Sequence, residues 1–152
     1  MALSTSNRLL ESFDNLVHQD TQLQNHCLDL TIAEIYELNK SGSLDFGGSE
    51  FEPATTSKIE SVKKSEDDSY GWWTLAGGTF IITTNETLGE IENESMIISP
   101  HPHALAAGLT INSVVVHADM MNRPLSIPVV VPGVGVKIKE NARIASAFLT
   151  EG

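Results

Sequence analysis

The chain has 152 residues, 41% of them apolar, which is the size of one domain and enough to bury roughly 68–70% of the surface its unfolded form exposes. Twenty acidic residues against nine basic ones give a net charge of -11. The few cationic clusters (Lys58, Lys63 and Lys64; Lys137, Lys139 and Arg143) sit among Glu60, Glu66 and Glu140, which argues against nucleic acid, because phosphate neutralisation supplies most of that affinity.

No apolar run is long enough to span a bilayer, and Met1 to Ser6 lacks the basic start and apolar core of a signal peptide. The expectation is a cytoplasmic protein without a membrane partner. The single cysteine, Cys27, excludes an intrachain disulfide and a multi-cysteine metal site. It reads as a small buried apolar residue.

In chain order, Ser4 to Val17 is predicted to be helical. Leu9, Leu10, Phe13 and Leu16 fall at helical spacing, and Ser4 or Ser6 serves as the cap. Leu28 to Leu38 reads as a strand followed by an irregular piece. Ser41-Gly42-Ser43 and Gly47-Gly48-Ser49 mark turns around Leu44-Asp45-Phe46. Glu52 to Ser69 is polar and charged and reads as a surface excursion. Strand-like runs follow at Thr79–Thr84, Ser95–Ile98, Thr110–Val116, Leu125–Val131, Val134–Ile138 and Ile144–Leu149. Only His101 to Ala107 interrupts them as a second helix, with Pro102 at its first position and Gly108 at its stop. Many short strands separated by turn residues predict a mainly β fold, a barrel or jelly roll. The expected division is an N-terminal helical segment over 1–19 and a barrel domain over 20–152. Trp72 and Trp73 are adjacent, so on a strand they face opposite ways, one to the core and one to a rim or subunit contact. Pro132-Gly133-Val134-Gly135 reads as a hairpin turn. Asp29, on the first long strand, is expected to hold a structural hydrogen bond.

Several segments together resemble the dUTPase and dCTP deaminase superfamily. They are Gln24 to Thr31, Leu44-Asp45-Phe46 with its Gly-rich turn, Tyr70 to Glu86, Ser99 to Leu109, Val114 to Asp119, and Lys137 to Ile144. The resemblance covers most of residues 20–149 and implies a distorted β-barrel of the jelly-roll type. It also implies a homotrimer with substrate sites at the subunit boundaries, a pyrimidine deoxynucleotide as ligand, and Mg²⁺ accompanying it.

The residues at the reactive positions depart from the family pattern. An Arg-Ser-Ser segment that holds triphosphate falls here on His101-Pro102-His103, and a second arginine one turn on falls on Ala106. The guanidinium fork that grips phosphate in two places is therefore absent at these positions. The carboxylate that orients the attacking water in dUTPases falls on His117, with Asp119 two residues later. Deaminases use a Glu on the next strand, and Arg123 to Val129 contains none. By position, the resemblance makes His117 and Asp119 the catalytic candidates and His101, His103 and Gly108 the substrate-binding ones. Three imidazoles, His101, His103 and His117, also suggest a metal site that would suit Zn²⁺ or another divalent ion. Three readings remain open: a hydrolase or deaminase with an altered site, a catalytically silent nucleotide- or protein-binding homotrimer, and a histidine-based metal site.

Overall fold

A computed structural model describes residues 6–151. In chain order its elements are α1 (Ser6–Ser12), β1 (Phe13–Asp14), α2 (Gln19–Gln22), β2 (Leu28–Lys40), β3 (Thr55–Ile59), β4 (Trp72–Leu75), β5 (Gly78–Leu88), β6 (Glu94–Pro100), α3 (Pro102–Ala106), β7 (Val114–Val115), β8 (Arg123–Val131), β9 (Val136–Lys139) and β10 (Arg143–Glu151). A 3₁₀ turn, Ala118–Met120, joins β7 to β8. The mainly β jelly-roll expectation holds.

The period-two pattern is clearest in β8, where Leu125, Ile127, Val129 and Val131 are buried and the residues between them are exposed. Among the described strands β8 pairs with β5 alone, and on its other side Val130 makes one bridge to Thr110. Its edge position explains why Pro124 and Pro128, which have no N–H to donate, are tolerated there. β2 is the long shared strand: Leu28 to Thr31 pair with β10, while Ile32 to Glu37 pair with β5. It thus carries the chain from one part of the barrel wall to the other. β10 lies between β2 and β6 and is buried from Ile144 to Ala147. Its Ala145 and Ala147, both 0% exposed, let neighbouring groups approach closely. β4 and β9 form a separate two-stranded ribbon with Trp72 opposite Lys139 and Trp73 opposite Ile138. Trp73 turns into the core, and its indole N–H donates to the Ile59 carbonyl at 2.9 Å. Trp72 stays half-exposed.

The N-terminal helix is shorter than its spacing predicts. It stops at Ser12, and Phe13 and Asp14 pair with Leu88 and Thr87 as a short strand. Burial wins over periodicity here: Phe13 is in the core, and Asn15 then adopts a left-handed turn at φ 66°. Of the two expected cap residues, Ser4 lies outside the described residues. A bidentate Arg8–Glu94 pair fastens α1 to β6. The polar excursion hides a strand, because β3 pairs with β2 from Ile35↔Ile59 to Lys40↔Thr55. Its side chains are almost all exposed, so it leaves no hydrophobic pattern to read. β2 itself continues to Lys40, with a register irregularity against β3 between Leu38 and Lys40. Of the run Thr110–Val116, only Val114 and Val115 form a strand, with Thr110 making a single bridge to Val130.

Candidate functional site

The fold brings Asp29 of β2, Arg143 and Ser146 of β10, and the start of α3 to one place. Asp29 is 2% exposed. Its Oδ1 accepts from Ser146 Oγ at 3.0 Å, and its Oδ2 accepts from Arg143 Nη1 at 3.1 Å and Gln24 Nε2 at 3.3 Å. His101 Nε2 also lies 3.3 Å from that Oδ2. Pairing and multiple donors satisfy a carboxylate that burial alone would disfavour.

His101 is buried and caps α3. Its Nδ1 accepts the His103 backbone N–H at 3.0 Å, so the ring proton resides on Nε2 and faces Asp29. Burial holds the imidazole below its ordinary pKa. Asp29 opposes that shift, while Arg143 and His103 reinforce it. A second proton would displace the N–H that Nδ1 accepts, so the capped geometry belongs to the neutral ring. His103 is exposed, and its ring meets that of His101 edge to face at a centroid separation of 4.7 Å.

These groups line a cavity of about 520 Å³ together with Gln24, Cys27 and Phe148. Cys27 is only half-buried, where a fully buried residue was expected. Burial, followed by the nearby Asp29 charge, pushes its thiol pKa up, so it remains protonated.

The other expected site residues lie elsewhere in the chain. Gly108 is at the far end of α3, where φ +97° ends the helix against Pro132. His117 is exposed at the start of the 3₁₀ turn, and its N–H points to Met120 Sδ at 3.4 Å. The Val116 N–H bonds the Met96 carbonyl, which places His117 about five strand residues, roughly 17 Å, from His101. Asp119 is exposed in a separate cleft with Met120, Arg123 and Ser126. The three-imidazole metal site therefore does not form within one chain. Among the described residues no group of three or more His, Cys, Asp or Glu side chains is arranged to hold an ion. The cavity's buried carboxylate, Asp29, already has donors on both oxygens, so its donor set does not fit a directly held divalent cation.

Arg143 and Ser146 were not expected as site residues. Arg143 appeared in a diluted basic cluster and within the resembling segment Lys137 to Ile144, without a role, and Ser146 carries no distinctive signal in an apolar run. Glu86 of β5 was also missed. It is 0% exposed, and its carboxylate accepts the Thr31 N–H at 2.8 Å, Thr31 Oγ at 2.5 Å and Gln22 Nε2 at 2.9 Å. The available signal was its phase: Glu86 falls on the same face of β5 as Phe80, Ile82, Thr84 and Leu88, at every second residue.

No protein-family model matches the chain. A Methanosarcina mazei protein named probable deoxyuridine 5'-triphosphate nucleotidohydrolase is 32% identical over 151 residues, covering 95% of this chain and 85% of its own length. One of the same name from Methanosarcina acetivorans is 30% identical over 131 residues, covering 86% of this chain and 73% of its own. Among solved structures, the 2'-deoxycytidine 5'-triphosphate deaminase of Agrobacterium tumefaciens superposes with a TM-score of 0.70 at 12% identity. That match covers 99% of this chain but 48% of the deaminase, so the chain spans about half of that protein. The likeness establishes a barrel of the dUTPase-like class. With the relatives at 30% identity and above, the chain belongs to the dUTPase and dCTP deaminase superfamily.

Proposed function

We propose that the protein binds a pyrimidine deoxynucleoside triphosphate at the boundary between copies of a homotrimer and hydrolyses it, with dUTP as the first substrate to test. The observation that carries this reading is the preorganised Asp29–His101–Arg143–Ser146 cluster at the mouth of the cavity beside α3. Relatives named for dUTP hydrolysis, matched over most of their length, support the same chemistry.

In this reading Arg143, whose side chain is 32% exposed, turns its remaining N–H groups toward the phosphates, and His103 lies beside it as a second donor. A guanidinium on β10 thus takes over part of the work of the missing arginine on the helix. Mg²⁺ arrives with the triphosphate and is not assigned a ligand in this chain. Asp119 and His117 lie too far from their own chain's cavity, so the water-orienting group is supplied by a neighbouring copy. That requirement is the reason for placing the site at a subunit boundary.

The altered site also favours a second reading, a silent nucleotide-binding trimer, because Asp29 is fully engaged and no other carboxylate lines the cavity among the described residues. The test is turnover of dUTP and dCTP by the purified protein with Mg²⁺ or Zn²⁺, detecting pyrophosphate and ammonia separately. Pyrophosphate release that falls on the order of 10²-fold in Arg143→Ala and is abolished in Asp119→Asn supports hydrolysis. Nucleotide binding without turnover supports the silent form.

A further inference from the structure

Two surface features away from the cavity fit one another. The first is the loop between β2 and β3. Leu44 is 89% exposed, Phe46 is fully exposed, and Phe51 is 54% exposed. Three large apolar side chains on one loop tip are more than the scattered exposure normal for a protein surface. The loop is also well built. Asp45 accepts the Gly48 and Glu50 N–H groups, both at 3.1 Å. Ser43 and Glu52 exchange two backbone hydrogen bonds at 2.9 and 3.1 Å. Gly42 sits where a Cβ would lie 2.5 Å from the Glu52 carbonyl oxygen. The result is a preformed apolar knob flanked by the exposed acids Glu50 and Glu52.

The second feature is a cleft of about 250 Å³ between α3 and β9. Its floor is apolar, formed by Ala104, Ala107 and Leu109, and Trp72 forms one wall. Its rim carries Lys137 and Lys139, with Arg143, already paired to Asp29, beside them, and no carboxylate lines it among the described residues. In a chain with nine basic residues, two lysines at one rim leave it locally positive. The volume falls below the roughly 300–1,000 Å³ typical of small-molecule sites, and it has room for side chains.

We propose that the Leu44–Phe51 knob of one copy docks in the Trp72–Lys137–Lys139 cleft of a second copy of this chain. Apolar tip meets apolar floor, and Glu50 and Glu52 meet the lysine rim. The loop that carries the knob springs from the end of the β2–β3 pairing away from its own cleft. Trp73 bonds Ile59 at one end of the β2–β3 pairing, and the loop leaves from Lys40↔Thr55 at the other, about 17 Å of strand away. Knob and cleft are different surfaces, so the contact is head-to-tail, and it closes into a ring when the rotation between copies permits. The proposal rests on the assembly part of the reading above and not on its chemistry.

The test uses the full chain with Phe46→Asp as the knob variant and Lys137→Glu with Lys139→Glu as the cleft variant. All three positions are exposed, and unchanged thermal midpoints verify folding. Sedimentation should show the wild type assembled and each variant self-associating roughly 30-fold more weakly or worse. An equimolar mixture should recover a one-to-one pair, since one good interface remains available, but no ring. A photoreactive phenylalanine analogue at position 46 should crosslink to peptides containing Trp72, 104–109 or 136–139 of the other copy. Assembly unaffected by the variants, or crosslinks elsewhere, overturns the docking mode and leaves the trimer standing on other faces. A monomeric wild type overturns both.

Discussion

His101 is the residue on which the local arrangement turns. Its neutral ring caps α3 and donates to Asp29, and burial lowers its pKa below the ordinary value of about 6.5. Below that value the unfolded chain takes up a proton that the folded ring resists. The unfolded state then binds more protons, and folding stability falls as pH drops through this window. The stability lost between pH 7.5 and pH 5.5, measured as a urea midpoint, should be smaller in His101→Asn, which keeps a capping side chain and cannot titrate. Equal losses in the two proteins would mean that the ring does not carry the effect. Sequence position alone pointed to His101 and His103 but not to their roles. The resemblance made them substrate-binding and metal candidates; both line the cavity, where His101 turns inward to Asp29 and His103 stays exposed. The partnership of Arg143 and Ser146 with Asp29 was not legible because they lie 114 and 117 residues from it, and β2–β10 pairing brings them to it.

At the level of elements, the strands with a buried face were legible, and those without one were not. β8 alternates, and β5 is buried at every second residue from Phe80 onward. By contrast β3 is an exposed edge strand and β1 is two residues continuing from a helical pattern. The joint between β2 and β5 depends on side chains. Pairing shifts between Ile32 and Glu34 on one strand and between Thr83 and Thr87 in the β5–β8 ladder. There Thr84 Oγ accepts the Leu125 N–H at 3.0 Å and donates to the Glu86 carbonyl at 2.9 Å, and Glu86 satisfies β2 and α2 as described above. Glu86→Ala would leave the Thr31 N–H and Gln22 amide buried without their acceptor, and should cost about 2–4 kcal/mol in denaturant unfolding. A loss below about 1 kcal/mol would show that water replaces the carboxylate. Gly108→Ala should cost about 1 kcal/mol or more, because a side chain at φ +97° is strained and its Cβ would lie 3.3 Å from Pro132 Cγ. A thermal melt reads that loss directly, and an unchanged midpoint would show that α3 ends equally well without glycine.

For the molecule as a whole, a net charge of -11 on 152 residues acts on every association it undergoes. Copies of the chain repel one another at long range, and a triphosphate is repelled with the same sign. Salt relieves this, since the Debye length falls from about 30 Å at 0.01 M to about 10 Å at 0.1 M. Attraction between Glu50 or Glu52 and the lysine rim acts over a few ångströms, and the apolar contact beneath it is not an electrostatic interaction, so screening weakens these less than it weakens the overall repulsion. Self-association should therefore strengthen as NaCl rises from 10 to about 300 mM, the reverse of an interface held by charge pairing alone. Sedimentation velocity at one protein concentration across that range checks the sign. A larger assembled fraction at low salt would mean that local charge pairs dominate. In that event the Lys137→Glu and Lys139→Glu changes, and not Phe46→Asp, should have the greater effect on assembly.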